Sequence, residues 1–290
     1  MPRMLSTRNS FQLWNAPATD DMIRAAAPSV FAPAPHPNVS ENYGFVSTVS
    51  ILNAMRSEGW AVYGAGQSRS RDAERTLTTK HMLRLRHQSA SSRALQDADG
   101  VAEAIYIGSH DGSGRAHLMG GYMRFVCLNG MVVGENIAAA HIRHTGSAIE
   151  RALEETYALL SNLGRVVESR DKMRAVQLTH DQRDTYAAEA LSLKYPYGGA
   201  PIDAWELLKP RRVEDYGGDL WTVFNRVQEN LIRGGQQGFN AKGKRASTRG
   251  VQSIDRSNVL NRDLWDLTER TRRALTGEVS VGETLALELV

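Results

Sequence analysis

The residues of this chain whose types and spacing could do chemistry gather between positions 105 and 144. Ser109-His110-Asp111-Gly112-Ser113 sets a hydroxyl, an imidazole and a carboxylate side by side, His117 follows, and His141 and His144 stand three apart, which is one face of a helix. Imidazole and carboxylate groups are ligands for zinc and related ions. His110, Asp111, His117, His141 and His144 are therefore the candidate metal ligands, and His110 and Asp111 the candidate catalytic residues. Against that chemistry stands the order of the residues. Members of a Ser-His-Asp triad converge in space from separate elements, and the chain has no HExxH, no CxxC pair and no P-loop. Asp-Gly-Ser-Gly is first of all good turn chemistry. The expectation is a structural turn, with no metal and no cofactor.

A second chemistry is ionic. Arg69 and Arg71 lie in a glycine-containing stretch, and the segment 79–87 alternates with period two. Lys80, Met82, Arg84 and Arg86 then share one face of a strand, and His81, Leu83, Leu85 and His87 the other. Far downstream, the glycine-rich segment 233–249 carries Lys242, Lys244, Arg245 and Arg249 without one acidic residue. Cations at intervals along a groove bind phosphates, and flexible glycine-rich loops can wrap a backbone. Trp60, Tyr63 and Tyr122 could offer stacking surfaces nearby. The plainer reading is a solvated basic surface with the aromatics in the core. Two acid-poor basic segments in a chain of net charge +3 argue for local attraction to a polyanion, not a global one.

The totals bound the remaining classes. A chain of 290 residues is enough for one or two domains with a sizeable core. With 41% hydrophobic and 23% charged residues it is not a disordered polyampholyte. Its one cysteine, Cys127, excludes an intramolecular disulfide and sits in an apolar run as a buried thiol. The opening MPRMLSTRNSFQLW lacks the apolar run of a signal peptide, and no later stretch is long enough to span a bilayer. A cytoplasmic protein without a membrane partner is expected.

The elements that must position these groups follow from periodicity and punctuation. Residues 1–40 read as an extended arm, because 28–37 is too rich in proline for a helix or a central strand. A helix over 47–58 is expected, capped by Ser47, packed through Val49, Leu52 and Met55, and ended by Gly59. Trp60-Ala61-Val62-Tyr63 is a strand and 64–71 a flexible basic stretch. Two apolar strands flank the Ser109–Gly114 turn, and Asn129-Gly130 signals a second hairpin turn. Gly120 and Gly121 mark a bulge or a close backbone approach. Ser147-Ala148-Ile149-Glu150 fits a capping box opening a helix with the stripe Ile149, Leu153, Tyr157 and Leu160. Thr179-His180-Asp181-Gln182 is a second capping box. Leu220, Trp221, Phe224, Val227 and Leu231 suit a helix ended at Gly234-Gly235, and 258–275 is helical again.

Lys80-His81-Met82-Leu83-Arg84, the Ser109–Ser113 motif, Gly121-Tyr122-Met123-Arg124-Phe125-Val126-Cys127-Leu128-Asn129-Gly130 and Leu220-Trp221-Thr222-Val223-Phe224-Asn225 together resemble the phage/plasmid-like protein family labelled domain of unknown function 932. The resemblance runs from about Asn42 to the last helix. Its members are carried on plasmids and prophages, so it implies the DNA biology of mobile elements and no particular activity. In layout, a helix ending in Gly59-Trp60, strands with a basic face and a long helix from Ser147 resemble single-strand annealing proteins of the Red-beta and eukaryotic Rad type. Leu52-Asn53-Ala54-Met55-Arg56-Ser57-Glu58-Gly59-Trp60-Ala61 is the nearest local match. That likeness implies assembly into rings or filaments that hold DNA in a basic groove.

The expected fold is α+β: a twisted antiparallel sheet backed by helices, with an extended N-terminal arm and a helical C-terminal region. The expected domains are 1–40, an α+β core over 41–210, and 211–290 with its basic loop. The leading expectation for function is a non-enzymatic, oligomeric protein that binds and anneals single-stranded DNA. Arg69, Arg71, Lys80, Arg84 and Arg86 would contact phosphates on the sheet, and Lys242, Lys244, Arg245 and Arg249 would close over them. A metal-dependent nuclease or other hydrolase using the His110/Asp111 region stays open, as does an anti-defence or assembly protein acting through protein contacts.

Overall fold

A computed structural model describes residues 4–8, 11–41, 43–91, 95–125, 129–132, 139–142, 148–240 and 242–278. In chain order the elements are β1 (Met4–Arg8), β2 (Phe11–Trp14), α1 (Asp20–Ala26), α2 (Thr48–Ser57), β3 (Trp60–Gln67), α3 (Ala73–Thr76), β4 (His81–His87), β5 (Gly100–Gly108), β6 (Ala116–Arg124), β7 (Asn129–Val132), β8 (Ala139–Ile142), α4 (Ala148–Arg174), α5 (His180–Lys194), α6 (Leu220–Arg233), β9 (Gln237–Phe239), β10 (Arg245–Ser247) and α7 (Ile254–Thr276). The fold is α+β, a twisted antiparallel sheet backed by helices with a helical C-terminal region.

The chain divides into two compact units, Met1–Val167 and Glu168–Val290. The break falls inside α4. In the first unit the strands run in sequence order from β1 to β7, every neighbouring pair antiparallel, with β8 added alongside β6. The N-terminal segment is extended where it forms β1 and β2, but it joins the sheet: Phe11 pairs with Gly66 and Leu13 with Gly64. Its proline-rich part holds a short 3₁₀ turn, Pro28–Phe31, whose Ser29 and Val30 are buried.

Alternation in β4 holds as the sequence predicts. The face of His81, Leu83 and Leu85 meets α2, whose Thr48 bonds His81 and whose Ile51, Leu52 and Met55 are buried. Ser47 stands at the N-cap of α2 without a side-chain cap bond, and Gly59 takes the left-handed conformation (φ 88°) that ends the helix. Strand β3 runs on to Gln67, so the expected loop 64–71 is half strand, extended by its ladder to β4.

Two expectations shift by register. Asn129-Gly130 lies inside the β6–β7 ladder, with Arg124 opposite Asn129 and Met123 opposite Gly130, so the reversal comes before it. Gly120 stands where β6 changes partner, pairing with β8 up to Met119 and with β7 from Gly121. In α4 the buried stripe is Thr156, Leu159, Leu163 and Val166, while Tyr157 is 54% exposed and its hydroxyl bonds the Glu58 carboxylate. Both stripes have helical spacing; the one that continues further along the helix is buried. Ser147 and Cys127 lie outside the described residues.

In the second unit α5, α6 and α7 pack on an aromatic cluster of Trp221, Phe224 and Trp265, with ring centroids 5.6–6.4 Å apart. The capping box at Thr179 and Gln182 is formed. Helix α6 is buried on nearly all sides, and most of its buried polar groups are partnered, Asn225 Oδ1 and Arg226 Nε being the exceptions among the described residues. Gln228 donates to Asn261 at 2.6 Å, and the Glu229 carboxylate takes Arg212 at 2.7 Å as well as Arg233.

Candidate functional site

The turn that carries Ser109, His110 and Asp111 connects β5 to β6 and is fastened from below. Ser109 and His110 are each about 1% exposed. The His110 amide donates to the Thr78 carbonyl, the His36 amide to the His110 carbonyl, and the Tyr43 hydroxyl to the Ser109 carbonyl. Asp111 accepts from the Ser113 amide at 3.0 Å and lies 3.5 Å from the Arg75 guanidinium. Burial pushes its carboxyl up, but the Ser113 bonds and Arg75 outweigh this and hold it below the usual range.

Beneath the turn, the Thr48 hydroxyl sits 3.0 Å from Nε2 of His81, 3.1 Å from Nε2 of His110 and 3.4 Å from the Tyr106 hydroxyl. Nδ1 of His81 lies 3.3 Å from the Thr79 carbonyl. The Thr48 hydroxyl has a single proton to give and shares its oxygen among its three neighbours. Ser29, brought in by the 3₁₀ turn, closes the group at 3.0 Å from Nδ1. Burial, then the neighbouring His110 ring, push the His81 imidazole down to about 3, and burial pushes Tyr106 up to about 12. Such a pair stays neutral at ordinary pH. The cluster ties the start of α2, the start of β4 and the end of β5 to one turn.

Of the other candidate ligands, His117 stands opposite Ile107 of β5 and pairs in the β6–β8 ladder with His141, and His144 lies outside the described residues. Among the described residues no three His, Cys, Asp or Glu side chains are grouped to hold an ion.

The basic face of β4 exists, but one of its charges is already answered. Arg84 is 4% exposed and forms an ion pair with Glu103 of β5, itself 0% exposed. Arg84 is therefore unavailable to a phosphate in solvent, which corrects its expected role. A single Glu in the otherwise apolar Val101-Ala102-Glu103-Ala104-Ile105 was the signal for this partner. Arg86 approaches the same carboxylate at 3.5 Å, and its guanidinium lies 4.4 Å over the Tyr63 ring and 5.8 Å from Phe125. Of the expected stacking residues only Tyr63 is brought to a cation on this face; Trp60 packs edge-on against His87, and Tyr122 is buried. Arg69 and Arg71 are exposed beyond the end of β3, and Lys80 is half-buried beside the turn, its ammonium near Gly114.

The glycine-rich segment is a β-hairpin, not a loop. In β9–β10 Phe239 stands opposite Arg245 and Gln237 opposite Ser247. The tip is built on Asn240, whose side-chain oxygen accepts from the amides of Lys242 and Lys244, with Gly243 at φ 66°. The base is held by reciprocal amide–carbonyl bonds of 2.8–2.9 Å between 235–236 and Thr248, and by Lys194, which donates to the carbonyls of Leu231 and Arg249 at 2.7 Å. A side chain at Gly238 would collide with the Pro201 carbonyl, so one face of the hairpin lies on that loop. The other presents Phe239, 62% exposed, and Arg245. Lys242, Lys244, Arg245 and Arg249 are all exposed, and no Asp or Glu occurs between Glu229 and Asp255. The two basic groups belong to different compact units.

Comparison with known proteins adds relatives. The family described as "Domain of unknown function (DUF932)" matches residues 35–265. The UPF0380 proteins YafZ and YfjQ of Escherichia coli strain K12 are each 38% identical over 253 residues, covering 87% of this chain and 91% of the relative. No solved structure matches. No helix among the described residues is long and apolar enough to cross a membrane.

Proposed function

The chain belongs to the family of domain of unknown function 932, and we propose that it binds single-stranded DNA without bond-breaking chemistry, through the β9–β10 hairpin. The observation that carries this reading is the hairpin's solvent face. An exposed aromatic, Phe239, stands directly opposite Arg245, and Lys242 and Lys244 follow at the tip of an acid-free segment. A base can stack on the ring while neighbouring phosphates meet the cations, a combination that takes any base and so tolerates sequence. The root of the hairpin is pinned while its tip is open, so the cations are held out at little ordering cost. In this reading the protein works in the cytoplasm as a homo-oligomer on the DNA of a phage or plasmid, and pairing of strands follows from neutralised backbones and outward bases.

Titrating labelled single- and double-stranded DNA at several salt concentrations tests it. Single strands are expected to bind more tightly. The combined Lys242→Ala, Lys244→Ala, Arg245→Ala variant should lower the slope of log affinity against log salt by about 2, at ~0.7 for each phosphate left without its cation. Absence of binding at low salt, or an unchanged slope in the variant, would overturn the proposal.

A further inference from the structure

A cavity of about 310 Å³ opens on the β4 face of the sheet, lined by Trp14, Tyr63, Arg86, Gln96, Met123 and Phe125 among others. Three features of the backbone build it. Strand β3 carries a β-bulge between Val62 and Gly64, so the extra residue, Tyr63, turns onto the face of Arg84 and Arg86. Gly121 stands opposite Glu103 and fills no space there. Met123 lies on the same face of β6 as Gly121, two residues on.

Among the described residues, the charges around Arg86 do not balance. Arg84 and Arg86 bring two guanidiniums to one carboxylate, and Arg84 makes the closer pair with Glu103. The side chain of Arg86 is only 13% exposed. Even so, among the described residues its Nε has no hydrogen-bond partner, and neither terminal nitrogen donates to any protein group. A guanidinium so nearly enclosed, with its donors unused, is stable in place because Tyr63 supports one side of it. It is organised to receive an anion. The walls beside it are aromatic, which selects a planar group, and the volume is at the small end of the ~300–1,000 Å³ range of ligand sites.

We propose that this cavity seats one nucleotide, its phosphate on the free N–H edge of Arg86 and its base against the aromatic wall. The site stands on its own geometry. It rests on the single-stranded DNA reading only for the source of the nucleotide, which is one residue of a bound strand; a free 5′-mononucleotide offers the same chemistry.

The test follows tryptophan fluorescence of the full chain, checked by calorimetry, as 5′-deoxymononucleotides are added. Parallel arms use the nucleoside without phosphate and ribose 5-phosphate without a base. Saturable binding of the mononucleotide is expected, with each truncated arm weaker by about ten-fold or more. Arg86→Gln should show the same loss while Arg86→Lys keeps part of the affinity. Arg84 remains to neutralise Glu103 in both, and thermal melts confirm that each variant is folded. Failure of the wild-type protein to bind any mononucleotide, or equal binding by Arg86→Gln, overturns the site. The hairpin triple variant separates the two proposals. If it loses strand binding while Arg86→Gln binds strands as the wild type does and no mononucleotide binds, the hairpin reading stands and this one falls. If mononucleotides bind through Arg86 but no strand does, the site stands with a free nucleotide as its ligand.

Discussion

Glu103 and Arg84, on neighbouring strands and 19 residues apart in sequence, form an ion pair in which the carboxylate is wholly buried. Removing one member of such a pair leaves a charge without compensation in a low-dielectric interior. Glu103→Gln is therefore expected to destabilise the protein by about 3–5 kcal/mol in urea denaturation. The double variant Arg84→Met, Glu103→Leu should recover most of that loss. A double variant no more stable than Glu103→Gln would show that the pair is held for something other than charge balance.

The buried imidazole of His81 makes stability depend on pH. Its folded-state value near 3 lies below the ordinary 6.5, so between those limits the unfolded chain takes up a proton that the folded chain refuses. The contribution of His81 is complete above about pH 6.5 and declines on acidification at about 1.4 kcal/mol per pH unit until about pH 3. Denaturation series at pH 7, 5 and 4 should show this slope beyond that of the carboxylates, and His81→Asn should flatten it. An identical slope in the variant would remove His81 from the account.

Thr48 is the shared oxygen of the cluster, within 3.0–3.4 Å of polar atoms of His81, His110 and Tyr106. Thr48→Val keeps the shape and leaves three buried groups short of a partner, at a cost of about 1–3 kcal/mol. Thr48→Ser restores the hydroxyl and should recover most of it. Equal melting temperatures for Thr48→Val and the wild type would show that the shared hydroxyl contributes nothing to stability.

At the hairpin, Phe239→Ala should weaken single-strand binding by about 1–3 kcal/mol, the worth of one stacked base, and leave the salt slope unchanged. The lysine and arginine variants should do the reverse and move the slope. Anisotropy titrations at two salt concentrations distinguish the two effects. A Phe239→Ala variant that binds normally would confine the interaction to phosphates.

Much of the fold is legible without coordinates. The two faces of β4, the turn at Ser109–Gly114, the capping box at Thr179 and the helix end at Gly59 all rest on interactions within a few residues, which the sequence states directly. The segment 233–249 was legible as basic and acid-free, but not as a hairpin, because its strands have three residues each and are fixed by the Gly238–Pro201 approach and the ties to Thr248. The exposure of Tyr157 was hidden for a similar reason: two helical stripes overlap in α4, and choosing between them needs the surface against which the helix lies.

The amino-acid order by itself determined which way each side chain of β4 points and that cations gather on one side of it. Alternation is a property of the pleated backbone and needs no neighbour. Whether those cations meet solvent was decided only in the tertiary structure. Register with β5 brings Glu103 to Arg84, and a one-residue bulge in β3 turns Tyr63 beneath Arg86. Register and bulges are set by the packing of whole strands, so a one-residue slip would exchange the faces and dissolve both contacts.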